Sequence, residues 1–565
     1  MISKDTSPGS LRNRPLHHRQ SSTMESTMDV TYFLNRLPYL NILVVLLAGY
    51  VGQYVAYKLY RLFIYPYFVS PLRHLPGPKN HHFLIGHALN QFRSGHPNQP
   101  FVSWMQQWPT APLIRYFDVG NSDAVLVTNL EAHKEILQAK AYSFQKPPFF
   151  VRLIATIVGF GLGFAEGEEH KKQRRALAML FSTSNLKGYI PLLRSKARLL
   201  ADQFDSAIET NGGIVELVSL YSKITLDIMG IFALGLELDD IHSVINTTTK
   251  KHKTVSFQSC YHELFEPDGF GQILLAINGI IPIRWIPLEA NRRFLQASKT
   301  IRRQLRDVIH DRIRTVGARK AAGTTNGVEK NEQQDLLTFM ITEKYFASSE
   351  SERWTESEIM DQILTFLAAG HQTTADALTW STQLMIEHPT TYSRLRTEIL
   401  SLLSQHPIPS QRQIESLPYL QNFSREVLRV QCPGINVARE AINDVVIQGV
   451  TIPKGTTVLM QPAIIQRNPT IWGPDCDEFN PDRWDKLDES PAASDPWAFA
   501  AFSHGPRICI GKALSMLEFK IILIELVSKF EFVDVEGRKS SEIKLINPSP
   551  MLRPDGGITV RVRRF

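Results

Sequence analysis

From Leu37 to Tyr57 the chain carries no charged residue, and the centre of this run reads N-I-L-V-V-L-L-A-G-Y-V. About 20 such residues wound as a helix cross the hydrocarbon core of a bilayer. Lipid offers the backbone no hydrogen-bond partners, so only helices and closed barrels span it. The run therefore predicts one membrane-spanning helix over residues 37–58. A cleaved signal peptide is the competing reading. The run sits behind a polar leader, residues 1–36, and no small-residue cleavage pattern follows it. The leader is rich in Ser and Thr and is expected to be disordered. Downstream stand Lys58, Arg61, Arg73 and Lys79 with no acid between them, whereas upstream Arg19 and Arg36 are offset by Glu25 and Asp29. This Lys/Arg bias puts the body of the protein on the cytosolic side. Residues 59–80 end in L-P-G-P, Leu75–Pro78, which reads as a stiff non-helical hinge.

A single core rarely grows past about 300 residues, so 565 residues suggest two or more domains. The order of motifs described below favours one large body over residues 81–565. The net charge of +7 suits an anionic membrane or an acidic partner. No helix-turn-helix, zinc-finger or RNA-binding signature accompanies it, so nucleic acid is the least supported partner. The four cysteines are Cys260, Cys432, Cys476 and Cys509. None forms a C-x-x-C pair, which argues against zinc and dithiol redox sites. So few in so long a chain fit a reducing compartment.

Within the body, Leu113–Phe117 and Ala124–Val127 flank a V-G-N-S-D turn and predict a strand pair. Helical periodicity dominates from Leu186 to Asp311. Thr315–Gln334, rich in Gly, Ala, Thr and Asn, reads as an exposed loop. Trp354 opens a long helix with a capping box, Thr355 and Glu358, that His388–Pro389 ends. Its length of about 50 Å would cross a domain. Val445–Gln448 and Thr457–Met460 are short strand candidates. Gly159, Gly161 and Gly163 lack the third glycine of a dinucleotide loop and read as a flexible loop or helix end.

The strongest chemical signal is F-S-H-G-P-R-I-C-I-G, Phe502–Gly511. Glycines let a backbone approach a flat macrocycle and turn amides toward a sulfur. A helix beginning at Lys512 and running to Lys520 would favour a thiolate at its positive end. This run resembles the haem-binding loop of the cytochrome P-450 family, F-x-x-G-x-R-x-C-x-G. The resemblance implies Cys509 as the thiolate ligand of haem b iron, with Phe502, Gly505, Arg507 and Gly511 around the cofactor.

Three further motifs follow the family's order. E-V-L-R supplies Glu426 and Arg429 at i,i+3 on one helix face. F-N-P-D-R-W supplies Arg483. The resemblance makes these three a structural charged triad. A-A-G-H-Q-T-T, Ala368–Thr374, resembles A-G-x-[D/E]-T-[T/S]. Its threonine, Thr373, can bond back to a carbonyl and open a kink. Gln372 stands where the family has an acid, and an amide cannot ionise. Asp376, one turn on, is a candidate substitute acid, although a helix-surface role is the ordinary expectation. H-K-K-Q-R-R resembles W-x-x-x-R, with His170 replacing the tryptophan. The resemblance implies haem propionate contacts from His170 and Arg174, and from Arg439 after P-G-I-N-V-A. Lys171, Lys172 and Arg175 fall on other faces of that helix.

The resemblance spans residues 71–563 and implies a mainly α fold with small β-sheets. It implies a monooxygenase that takes electrons from NADPH–cytochrome P-450 reductase, with cytochrome b5 as a second partner, at the endoplasmic reticulum membrane. Thr373 and Gln372 would be its catalytic residues. Apolar walls from Phe149–Phe164, Phe366, Ala369 and Gly434–Val437 predict a lipophilic small-molecule substrate, by analogy a fungal terpenoid or polyketide. Two rivals stand beside this reading. One is a haem-thiolate isomerase, dehydratase or peroxide-driven enzyme, which Gln372 keeps open. The other is a membrane-bound haem sensor or carrier, against which Thr373 counts.

Overall fold

The computed structural model describes residues 37–238, 257–265, 269–322, 334–547, 549 and 551–565. The chain divides into two compact units, Met1–Arg61 and Leu62–Phe565. The second unit holds every motif of the body, so the several domains that length suggested are one. The helix α1, Leu37–Phe63, runs past the expected end at residue 58. All residues from Ile42 to Arg61 are exposed. Leu217–Leu234 is also long and apolar enough to cross a membrane, yet most of it is buried inside the body. Composition alone does not separate a candidate membrane span from a core helix; burial does.

The L-P-G-P segment is tied down rather than free to hinge. The Pro76 carbonyl accepts a 2.8 Å hydrogen bond from the Arg115 amide. A Cβ on Gly77 would lie 1.9 Å from the Arg115 carbonyl oxygen. Glycine is needed here because two backbones touch.

Of the described residues, 65% are helical. The expected strand pair forms, with β1 (Leu113–Phe117) antiparallel to β2 (Asp123–Val127). They join β3 (Phe144–Gln145), β5 (Val437–Ala441) and β8 (Thr457–Met460) in a five-stranded sheet ordered β1-β2-β8-β5-β3. β4 (Ile214–Glu216), β9 (Phe530–Asp534) and β10 (Thr559–Arg564) make a second sheet, and β6 (Val445–Ile447) with β7 (Val450–Ile452) a hairpin.

The helices that shape the site are α2 (Pro148–Val158), α3 (Gly167–Leu177), α4 (Thr183–Asn211), α5 (Leu217–Leu234), α6 (Phe257–Phe265), α7 (Gly269–Ile280), α8 (Glu289–Ala321), α9 (Glu356–Glu387), α10 (Pro389–Gln405), α11 (Pro418–Val430) and α12 (Lys512–Lys529). α8 keeps its helical bonding through Ala321. The loop expected from Thr315 is therefore helix up to that point: small and charged residues suit an exposed helix as well as a coil. Residues 323–333 of that expectation lie outside the described residues. α12 continues to Lys529, nine residues past the expected Lys520, because its second half is apolar and buried on many sides.

The central helix α9 has 32 residues and the expected capping box. Thr355 Oγ1 accepts from the Glu358 amide at 3.2 Å, and Glu358 Oε2 accepts from the Thr355 amide at 2.7 Å. A helix apolar on most faces belongs in a core, and α9 packs along α5 through the middle of the largest apolar cluster. Gly370 permits this, since a Cβ there would sit 2.5 Å from Met229 Sδ of α5. The glycines after α2 serve the same end. Gly159 caps α2 at φ 75°, and Cβ atoms on Gly159 and Gly161 would collide with Asp361. The loop is a helix end clamped onto α9: Phe160 and Leu162 amides donate to Asp361 Oδ2 and Gln362 Oε1, each at 2.9 Å.

Candidate active site

Between Gln362 and Met385 every residue of α9 is buried except Ala368–Gly370 and Thr373. These four open a window in a helix that is otherwise sealed. Side chains three and four apart share a helix face, so Ala369 and Thr373 look into the same space. Thr373 Oγ1 donates to the Ala369 carbonyl at 2.9 Å, and Thr374 Oγ1 to the Gly370 carbonyl at 3.2 Å. Both hydroxyls bond back as the sequence suggested, yet the α-helical run from Glu356 to Glu387 is unbroken. Gln372 is buried and turned to α5. Its Oε1 accepts from Ser222 Oγ at 3.2 Å, and its Nε2 donates to Asp376 Oδ1 at 2.8 Å. Asp376 is fully buried, so the helix-surface role expected for it is excluded.

Cys509 is the one exposed cysteine of four. The loop before it is closed by the Cys509 amide donating to the Phe502 carbonyl at 2.8 Å. Gly505 adopts φ +68°, and a Cβ there would lie 2.0 Å from the Leu137 carbonyl oxygen. Its glycine is demanded by protein packing against that carbonyl. Burial pushes the Cys509 thiol up, while the Gly511 amide, the Arg174 charge and the Lys512 amide and charge pull the other way. A residue at once exposed and poorly solvated lies on the floor of a cleft. Phe502 is half-buried and packs on Phe499, with ring centroids 6.4 Å apart.

A cationic cluster lies beside this loop. Arg507 pairs with Glu166, and Lys146 Nζ pairs with Glu166 Oε1 at 3.1 Å. Arg439, on β5, is buried and donates to its neighbour, the Ala438 carbonyl. Burial, then Arg507, lowers the Arg439 guanidinium to about 10. Burial likewise lowers Lys146 to about 8, with Glu166 opposing and Arg439 and Arg507 adding to the fall. His170 is buried, its Nδ1 3.2 Å from Tyr142 Oη. Burial and the charges of Arg507, Lys146 and Arg174 bring it to about 4, so it is neutral at pH 7. Lys146, Glu166 and Tyr142 are not legible in the sequence as site residues, because no spacing links them to the loop; Arg507 does, pairing with Glu166 and lying over the Tyr142 ring, and Lys146 joins through Glu166.

One carboxylate thus serves several buried cations. Arg507 Nε and Nη1 are buried without hydrogen-bond partners among the described residues. Such a surplus of donors is costly unless anions meet it. Two carboxylates on a flat macrocycle, with a thiolate for its metal, fit this donor set.

The charged triad assembles away from the window. Glu426 and Arg429 lie on α11, and Arg483 on the turn Pro481–Glu489. Glu426 accepts from Arg429 Nε and Nη2, each at 2.8 Å, and from Arg483 Nε at 2.9 Å. Trp484 Nε1 adds a fourth bond at 2.9 Å; it stood in the quoted run, but nothing in its spacing marked it as a partner. Arg429 also donates to the carbonyls of Gln466, Cys476 and Glu478.

Comparison with known proteins agrees with this geometry. The family model described as Cytochrome P450 matches residues 76–558. The cytochrome P-450 monooxygenase sphH of Aspergillus fumigatus is 32% identical, over 85% of this chain and 87% of its own length. The monooxygenase FUM15 of Gibberella moniliformis is 30% identical over 92% of each. The crystal structure of the cytochrome P450DA heme domain superposes with a TM-score of 0.70 at 23% identity, over 87% of this chain and 98% of that one. On these matches the chain belongs to the cytochrome P-450 family, as a haem b monooxygenase of a small molecule.

Proposed function

We propose that this monooxygenase hydroxylates a lipophilic metabolite, working as a single-pass protein of the endoplasmic reticulum with its body in the cytosol. The observation that carries the substrate class is the window in α9. It is bordered by Phe366, which stacks on Phe181 at 5.5 Å, and by α2, whose Phe150 packs on Phe164 at 5.9 Å. The exposed helix α1 and the Lys/Arg-rich flank after it support the anchoring and its direction.

When bound, the haem supplies activation of dioxygen by two electrons. Cys509 gives the iron a thiolate, and the Gly511 and Lys512 amides temper its charge. Arg507, Arg439, Arg174, Lys146 and neutral His170 would hold its two carboxylates. The apolar border excludes bulk water and orients substrate by shape. Thr373 places a hydroxyl in the wall, where it accepts and passes protons. The redox partner is NADPH–cytochrome P-450 reductase, with cytochrome b5 as a second donor. Lys172 and Arg175 are exposed on α3, suited to an acidic partner; Lys171 is half-buried beside Glu168 and Tyr142.

The test is spectroscopic and chemical together. The reduced, CO-bound protein should show the band of thiolate-ligated haem. Cys509→Ser should abolish it, while Cys260→Ser, Cys432→Ser and Cys476→Ser each keep it. In yeast microsomes fed a panel of lipophilic metabolites, product should need NADPH and reductase. Product formed at an equal rate without reductase would remove the proposed electron route. Reversing Lys172 and Arg175 to Glu should slow reductase-driven turnover, most at low salt, and spare turnover driven by added peroxide.

A further inference from the structure

Asp376 is a carboxyl at 0% exposure in the middle of the protein. Among the described residues no cation offsets its burial. Its Oδ1 accepts from Gln372 Nε2 at 2.8 Å, while its Oδ2 has no partner among the described residues. Gln372 is held at its other end by Ser222 Oγ, at 3.2 Å, on the half-buried side of α5. Burial drives the Asp376 acid well above the ordinary carboxylate range, which favours the carboxylic acid form, with Oδ2 the oxygen free to carry the proton.

The position of this acid matters. Ala369, Thr373 and Asp376 follow at i, i+4 and i+7, so they share one face of α9. The first two open the window, and Asp376 lies one turn deeper on the same side. Gln372 is next to Thr373 but has nothing to ionise. Its two hydrogen bonds spend the amide on holding the carboxyl in place. A buried polar group kept with one oxygen unsatisfied calls for a reason beyond packing.

We propose that Asp376 is the proton-holding acid of this monooxygenase, and that Gln372 and Ser222 are its brace. The inference rests on the monooxygenase reading. The productive reaction is RH + O2 + NADPH + H+ → ROH + H2O + NADP+. The wasteful one is O2 + NADPH + H+ → H2O2 + NADP+. Both use the same two electrons, so the ratio of product to peroxide reports where protons go. Asp376 gives its proton from Oδ2, through water, toward the Thr373 hydroxyl and regains one from solvent, with no net change. It acts through Thr373 and is a positioning residue in that sense.

The experiment counts product, peroxide and NADPH together, per CO-binding haem, in H2O and D2O. Asp376→Asn keeps shape and removes the proton. It should keep the thiolate spectrum and substrate binding, yet lose about tenfold or more of product per NADPH, within the range general acids supply, with peroxide rising to match. Its solvent isotope effect should differ from wild type. Ser222→Ala should shift the same ratio in the same direction by less, and add little on top of Asp376→Asn. Moving the acid back one turn, Gln372→Glu with Asp376→Asn, should restore most of the coupling. Unchanged coupling and isotope effect in spectrally normal Asp376→Asn would overturn the proposal. If that variant loads no haem, Ser222→Ala decides: unaltered product-to-peroxide ratio refutes the brace and the acid together. Loss of all NADPH use and of peroxide-driven product in the wild type would instead sink the monooxygenase reading.

Discussion

Replacing Glu426 by Gln changes one oxygen into an NH2 and little else. Glu426 is fully buried, and five donors end on it. Oε1 receives Arg429 Nη2, Arg483 Nε and the Asn480 amide; Oε2 receives Arg429 Nε and Trp484 Nε1. A glutamine does least harm by placing its NH2 at Oε2, where two donors then face a donor. Two charge-assisted bonds, each worth about 1.5–3 kcal/mol, are lost. Two guanidinium charges also lose their shared anion; Arg483 keeps Asp475 Oδ2 at 3.0 Å, and Arg429 keeps only carbonyls. Breaking a buried ion pair costs about 3–5 kcal/mol, and the sum of parts agrees. Against a typical stability of about 5–15 kcal/mol, that is a large fraction. Urea unfolding followed by tryptophan fluorescence should show the loss, together with faster haem release. Trp484→Phe, which removes one donor to the carboxylate, should cost about 1.5–3 kcal/mol and couple non-additively with Glu426→Gln. Turnover per bound haem should stay close to wild type, because no triad atom faces the window. A stability loss under about 1 kcal/mol for Glu426→Gln would refute the geometric argument.

Two other outcomes follow from single positions. Gly505→Ala puts a Cβ 2.0 Å from the Leu137 carbonyl at φ +68°; strain of about 1–3 kcal/mol plus displacement of that carbonyl should shorten haem retention, read as decay of the Soret band, and normal retention would show that the loop yields freely. Glu518 is buried with Oε1 unpartnered, and burial raises its pKa well above the usual value. A raised folded pKa means its contribution is present below the unfolded pKa of about 4.3 and lost as pH rises toward the folded one. Glu518→Gln should therefore match wild type near pH 4 and gain stability on it by up to about 1.4 kcal/mol per pH unit above that; a pH-independent difference would place a counter-charge beside Glu518.

The chain's local chemistry was enough for its elements and its loop. Capping residues and the Pro389 stop bounded α9, because a helix terminus is a contest among a few neighbouring backbone groups. The resemblance carried by Phe502–Gly511 named Cys509, and the amides of Gly511 and Lys512 that temper its thiol come from the same stretch of chain. Pairing at i,i+3 likewise put Glu426 beside Arg429. What tertiary structure decided is everything that depends on which distant surfaces touch. Gly370 stood in a quoted motif with no role of its own, and it is room for Met229 of α5. Thr315–Ala321 had loop composition and stayed helical in α8. L-P-G-P read as a hinge and became a clasp on Arg115. Lys146 and Glu166 entered the cationic cluster, and Trp484 the triad, through contacts no spacing encodes. Asp376 is the sharpest case: helical periodicity places it on a face, but only packing makes that face interior, and it is interior burial that raises its acid above the ordinary carboxylate range.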